Sequence, residues 1–265
     1  MLKIITKPSL LLCLLTFIFF IFPKKSYNPN KEEHTDNYNE NLFLEKTSIP
    51  DTHKDFILKL IPLIQHSNQE VLLERKRLLL IKSMVEKEKK IKLPEQRWLK
   101  TLEKKYIGKI NETLFEENNE SIIIYLNELL SRVDIIPIRF ALAQAAIESG
   151  WGKSRFCKEG NAYFGIHCYK AGCGIKANAD EEGGFEVKSY NNAQESVTDY
   201  ILFLNSKRGM QRFRNERVNY FYTDTEPSLS KLASSIKGYS AIGQSYQFMI
   251  ESILRKYIPE NIANS

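Results

Sequence analysis

The sequence predicts an α+β fold that is mainly α, with helices gathered around one small β element. Three observations carry this. From His53 onward, apolar residues recur every three to four positions in several separate runs, the period of a helix with one buried face. Between Gly150 and Gly184, glycines and cysteines interrupt that pattern. One stretch, Phe185 to Tyr190 (FEVKSY), alternates apolar with polar residues and reads as a short strand of a small hairpin. With 265 residues, 43% hydrophobic, 26% charged, and only 12 Gly and 9 Pro, the chain has enough apolar side chain for a packed core, which excludes low-complexity disorder and collagen-like repetition.

At the N-terminus, Lys3 and Lys7 precede an apolar run of 14 residues, Ser9 to Phe22, with the charged start and core length of an export signal. The run is short for a membrane span of about 20 residues. Neither a small-x-small cleavage site nor a lipobox accompanies it, since Leu12 precedes Cys13 and Pro23-Lys24-Lys25 follow. Residues 1–25 are therefore read either as a cleaved signal peptide or as an uncleaved signal anchor that would touch the membrane. Residues 26–51, rich in Asn, Lys, Glu, Asp and Tyr without apolar periodicity, read as a polar linker.

Phe56, Leu60 and Leu63, then Leu72 and Leu79, keep helical spacing, and Pro62 is expected to kink or split this segment, giving two scaffold helices. A third run passes through Trp98, Leu99, Leu102 and Tyr106 after Leu93-Pro94, and a fourth spans Ile122 to Leu130. Residues 52–132 are thus read as a helical region. Beyond the β element, helices are expected at Ser196 to Asn205, Ser228 to Ile236 and Tyr246 to Tyr257, completing a domain over 133–260.

The formal charge of +6 first suggests an anionic partner. Between Val71 and Lys109, however, 13 Lys and Arg face 5 Asp and Glu, a local +8 that exceeds the whole-chain total. That stretch is helical in pattern and lacks interleaved aromatics or a nucleic-acid motif, so it reads as a solvated face and no nucleic-acid partner is expected.

Cys168 and Cys173, in His167-Cys168-Tyr169-Lys170-Ala171-Gly172-Cys173-Gly174, are close enough to close a small loop, and in an oxidising compartment they should form a disulfide. Cys157 is left over. Zinc ligation by Cys157, His167, Cys168 and Cys173 is the alternative, but adjacent His-Cys ligands fit no common zinc spacing, so neither a metal site nor a cofactor is expected. His34, His53 and His66 are placed outside the site.

The segment that carries chemistry is Pro137 to Gly152 (PIRFALAQAAIESGWG). From Phe140 to Ile147 all residues but Gln144 are apolar and half are alanine, the pattern of a helix buried on nearly all sides. Gln144 and Glu148 are four apart, one turn above the other on one face. Burial and the C-terminal end of the helix dipole both oppose a charge at Glu148, raising its pKa and suiting it to protonate a leaving group. The alternative is an exposed residue in the last helical turn.

Leu142-Ala143-Gln144-Ala145-Ala146-Ile147-Glu148-Ser149-Gly150-Trp151-Gly152, followed by Asn161-Ala162-Tyr163-Phe164-Gly165-Ile166, resembles the signature of the bacterial β-N-acetylglucosaminidases of glycoside hydrolase family 73. The loop from Cys168 to Gly174 and the helical region from His53 to Arg132 resemble the Bax family of Gram-negative bacteria; the resemblance covers about residues 52 to 260. It implies a lysozyme-like fold with a small β lobe, and a peptidoglycan hydrolase of the periplasm or cell envelope that cuts the β-1,4 bond after N-acetylglucosamine in glycan strands. Glu148 falls on the family's general acid. The second carboxylate is sought among Asp180, Glu181, Glu182 and Glu186, with Glu181 and Glu182 ranked above Glu186 because a side chain on a strand is fixed to one face. If none serves, the substrate's 2-acetamido group takes the role.

Substrate-binding roles fall by the same resemblance on Gln144, Trp151, Asn161, Phe164 and Tyr239, and a catalytic role on Tyr246. Trp151 either flanks the acid, stacks on a sugar or belongs to the core; Tyr246 either bonds near the reacting group or packs. A non-catalytic wall-binding or envelope-assembly protein would share the fold and charge, and the acid at position 148 favours the enzyme.

Overall fold

The longest element of the computed structural model is α1 (Asp51–Glu86), 36 residues without a break. The structure describes residues 48–176, 185–223, 228–236, 244–260 and 262, all within one compact unit from Asn37 to Ser265. The N-terminal apolar run, Asp180, Glu181, Glu182 and Tyr239 lie outside the described residues. Among the described residues no helix is long and apolar enough to cross a membrane.

Ile57, Ile64, Val71, Leu78 and Val85 of α1 are buried at seven-residue intervals and form one seam, filled in by Leu60, Ile61, Ser67, Asn68 and Ile81. The expected split at Pro62 is absent. Pro62 is exposed, the side on which a helix tolerates a missing bond because the freed carbonyl can turn to water. The seam also lies beside the expected one: Phe56 and Leu60 are buried, but Leu63, Leu72 and Leu79 are only partly so.

The next two helices, α2 (Leu93–Tyr106) and α3 (Asn119–Arg132), follow the sequence pattern. Asn118 starts α3 by accepting the Ser121 N–H at 2.9 Å. α4 (Ile138–Ser149) and α5 (Arg155–Gly160) come next, then a three-stranded antiparallel sheet of β1 (His167–Cys168), β2 (Gly174–Ile175) and β3 (Glu186–Lys188). Its order is β1-β3-β2, so the expected strand is the central one. Three helices complete the expected set or extend it: α6 (Ala193–Ser206), α8 (Leu229–Ser235) and α9 (Gln244–Tyr257). Between α6 and α8 lies α7 (Gln211–Thr223), which the sequence pattern does not reveal. α1 packs on α3, α4 and α6, and α9 on α4 and α8. One hydrophobic core joins the stretches 52–132 and 133–260.

Cys168 and Cys173 are joined in a disulfide, with Cα atoms 6.2 Å apart. Both sulfurs are in that bond and are not available to zinc. The Glu186 carboxylate accepts the N–H groups of Gly172 (3.1 Å) and Gly174 (2.8 Å), tying the disulfide loop to β3. These backbone bonds hold its pKa below the usual carboxylate range. Replacing both cysteines by serine is expected to destabilise the chain by about 2 kcal/mol, the entropy of so short a loop. Urea unfolding measures this, and amide exchange at Val187 and Lys188 should quicken with it. An unchanged midpoint and unchanged exchange would contradict a structural role for the bond.

The loop from α3 into α4 is held by side chains from three other helices. Asn68 of α1 donates to the Ile136 carbonyl (2.8 Å) and accepts the Ile136 N–H (3.0 Å). Arg75 reaches the carbonyls of Leu130 and Val133 (2.6 and 2.8 Å). Asn205 of α6 donates to the Asp134 carbonyl at 2.8 Å. Arg217 of α7, fully buried, donates to Asn205 Oδ1 (2.5 Å) and to the carbonyls of Ser131, Arg132, Asp134 and Ile135 at 3.1–3.4 Å. The buried Asp134 carboxylate faces Arg75 at 3.4 Å and Arg217 at 4.0 Å. Every backbone group that a buried loop leaves open must find a partner, and here arginine and asparagine supply them.

Candidate active site

α4 supplies the site because its sequence leaves it no exposed face until its last turn. Ile138 to Ala146 are all buried, and the alanines at 141, 143, 145 and 146 have small side chains where α1 and α9 pack against the helix. Gly150 ends it in the left-handed region, and Trp151 and Gly152 continue there, with φ of 57°, 59° and 73°. A tryptophan enters that region at a cost of about 1–2 kcal/mol. Its N–H bonds the Ala146 carbonyl at 2.9 Å, and the Gly152 N–H bonds Ser149 Oγ at 2.8 Å. The Trp151 ring stacks on His53 (centroids 3.7 Å apart, 9° between planes) and meets Phe56 and Tyr257 edge-on. So the turn after Glu148 is clamped between α1 and α9. His53, expected outside the site, makes one side of that clamp; burial and the Lys153 ammonium push its pKa down, which keeps the ring neutral at neutral pH.

Glu148 lies on the one part of α4 that is not fully buried. Its Oε1 accepts the Tyr246 hydroxyl at 2.7 Å. Gly165 lies beside Oε2: with φ +60°, it occupies a position where an added Cβ would come within 3.2 Å of that oxygen. Burial raises the Glu148 pKa above the ordinary carboxylate value, and the Tyr246 hydrogen bond opposes the rise. An acid whose pKa burial raises, with one oxygen held by a hydroxyl, is suited to donate its proton from the other. Gly165→Ala is expected to cost about 1–2 kcal/mol, because a side chain at this φ is strained. It should also push the carboxyl aside and slow turnover roughly tenfold, since small misplacements are expensive in catalysis. Unchanged thermal melting and turnover would contradict the close approach.

Tyr246 is buried, with its hydroxyl on the Glu148 carboxyl. Gln144 does not fit a substrate-binding role: it is fully buried, donates to Tyr246 Oη at 2.9 Å and accepts from the Tyr200 hydroxyl at 2.6 Å. Phe164 does not fit one either, because its ring is buried and stacked on Tyr200 at 3.8 Å. Asn161 ends α5 at φ 50° and donates to the Tyr190 carbonyl at 3.1 Å, which fixes the turn toward Phe164 and Gly165. One face of Trp151 is covered by His53. Glu186 is engaged by the disulfide loop through the Gly172 and Gly174 N–H groups. Sequence reasoning missed Tyr200, which reads as an ordinary core aromatic, and Gly165 as a separate feature, although it stands in the quoted Phe164-Gly165 motif.

The glucosaminidase family model, described as mannosyl-glycoprotein endo-beta-N-acetylglucosaminidase, matches residues 124–258, just over half of the chain. The chain is similar to Protein bax of Escherichia coli (strain K12), 36% identical over 120 residues, which are 45% of this chain and 42% of that protein. It is also similar to Peptidoglycan hydrolase FlgJ of Pseudomonas aeruginosa, 36% identical over 93 residues, 30% of this chain and 22% of that protein. The chain thus spans less than half the length of either relative. No solved structure matches it.

Proposed function

The chain belongs to the glucosaminidase family, and from that premise we propose that it is a peptidoglycan hydrolase that cleaves the β-1,4 bond after N-acetylglucosamine in glycan strands. The observation that carries this reading is Glu148: a carboxyl at the end of a buried helix, its pKa raised by burial, one oxygen bonded to Tyr246 and the other beside Gly165. Glu148 protonates the glycosidic oxygen as the bond breaks. Tyr246 keeps the resulting Glu148 carboxylate hydrogen-bonded once the proton has gone. The positive charge that develops at the anomeric carbon is met by a carboxylate of the 180–182 segment, Glu181 or Glu182, or by the substrate's own acetamido group, and water adds to that carbon to complete the hydrolysis, its proton passing to a carboxylate. Residues 133–260 form the catalytic domain in this reading, supported by 52–132. Residues 1–25 direct export to the periplasm or envelope, as a signal peptide or as an anchor in the inner membrane.

Incubating the purified protein with peptidoglycan sacculi and analysing the soluble fraction by mass spectrometry tests the reading. Release of disaccharide-containing fragments is expected. Binding to sacculi without any release would overturn it in favour of a wall-binding role.

A further inference from the structure

Behind Glu148 runs a line of three hydrogen bonds. The Tyr200 hydroxyl donates to Gln144 Oε1 (2.6 Å), Gln144 Nε2 donates to Tyr246 Oη (2.9 Å), and the Tyr246 hydroxyl donates to Glu148 Oε1 (2.7 Å). Tyr200 and Gln144 are fully buried and Tyr246 nearly so. A primary amide has one end that only accepts and one that only donates, whereas a hydroxyl does both. The line therefore has a direction, and its buried end sets it. A buried Tyr200 O–H without an acceptor is costly, so Gln144 turns its oxygen to Tyr200 and its NH2 to Tyr246. Tyr246 then receives a hydrogen from Gln144 and has its own to give to Glu148.

We infer that Tyr200 is a positioning residue: by fixing which way round the Gln144 amide sits, it makes Tyr246 a constant donor to Oε1 and confines the catalytic proton of Glu148 to Oε2. With the amide reversed, Tyr246 gives its hydrogen to Gln144, and the Glu148 proton can settle on Oε1, facing the protein interior. The inference rests on Glu148 being the general acid. Burial pushes the Tyr200 and Tyr246 pKa values far up, so both remain hydrogen donors at any working pH. Among the described residues the groups acting on Glu148 are Tyr246 from α9, through its hydrogen bond, and Tyr200 from α6, across Gln144; α4 contributes the amide and the loop at Gly165 a side-chain-free backbone.

The test is a carbon-13 NMR titration of the Glu148 carboxyl in the full chain, assigned by its disappearance in Glu148→Gln, alongside turnover on sacculi. In Tyr200→Phe the amide is released, Tyr246 no longer donates steadily to the carboxylate, and the Glu148 midpoint should move up. Turnover should fall about tenfold, short of the full contribution of an acid. In Tyr200→Phe/Gln144→Met the Gln144 carbonyl no longer competes for the Tyr246 hydrogen, and the midpoint should return toward that of the unaltered chain. A core role for Tyr200 predicts no such return. An unmoved midpoint in Tyr200→Phe, or a shift that persists in the double variant, overturns the inference. Should the variants fail to fold, the Gln144 amide protons of the unaltered chain must track the Glu148 titration, and silence there overturns it equally. Because the titration reads an inactive protein as well as an active one, failure of this inference is separable from failure of the hydrolase reading.

Discussion

Glu148→Gln is expected to lower glycan cleavage by about 10²-fold or more while leaving fold and wall binding intact. The amide keeps the shape of the acid and can still accept the Tyr246 hydrogen, but has no proton to deliver. The same variant should be more stable than the unaltered chain at neutral pH. Burial raises the folded-state pKa of Glu148 above its unfolded value. Its favourable contribution is therefore complete below the unfolded pKa and is lost as pH rises through the folded one, above which a buried charge opposes folding. Glutamine carries no such charge, so the difference in melting temperature should close on acidification. Near-normal cleavage by the variant would remove Glu148 from its role, and an unchanged stability difference across pH would contradict its burial.

Arg217→Met should destabilise the chain by about 3–5 kcal/mol, the usual cost of breaking a buried ion pair from one side. Burial lowers the Arg217 pKa to about 10, so it remains charged at neutral pH, facing Asp134 and bonded to four carbonyls and Asn205. Removal leaves Asp134 with Arg75 as its charged partner on one side, and strips donors from the loop that leads into α4. Lysine should not rescue the variant, because three donors on one nitrogen cannot reproduce the planar fork. Urea denaturation measures the loss, and a cost under about 1 kcal/mol would contradict the anchoring role.

That arginine also explains where the sequence is hard to read. α7 was invisible because its inward positions include Arg214 and Arg217 beside Phe213, so a helix with a buried face carries the composition of a solvated one. The sequence points to a split at Pro62 because proline ordinarily breaks helices, and only the packing shows that it faces out. α4 was legible for the opposite reason: an alanine-rich run with two polar residues one turn apart has few other ways to fold. What a sequence pattern cannot provide is the far end of each hydrogen bond. The resemblance implies a substrate-binding Gln144 on the face of Glu148, and it is Tyr200 and Tyr246, 56 and 102 positions away, that bond to its amide.

The new reducing end reports which glycosidic bond the proposed hydrolase cuts. Glycan fragments released from sacculi can be reduced with borodeuteride and hydrolysed to free amino sugars, and the deuterium located by mass spectrometry. Cleavage after N-acetylglucosamine puts the label on glucosaminitol, in proportion to the fragments released, and Glu148→Gln should lower it by about 10²-fold or more. Label on muraminitol, or release of stem peptides with the glycan chains uncut, would contradict the account.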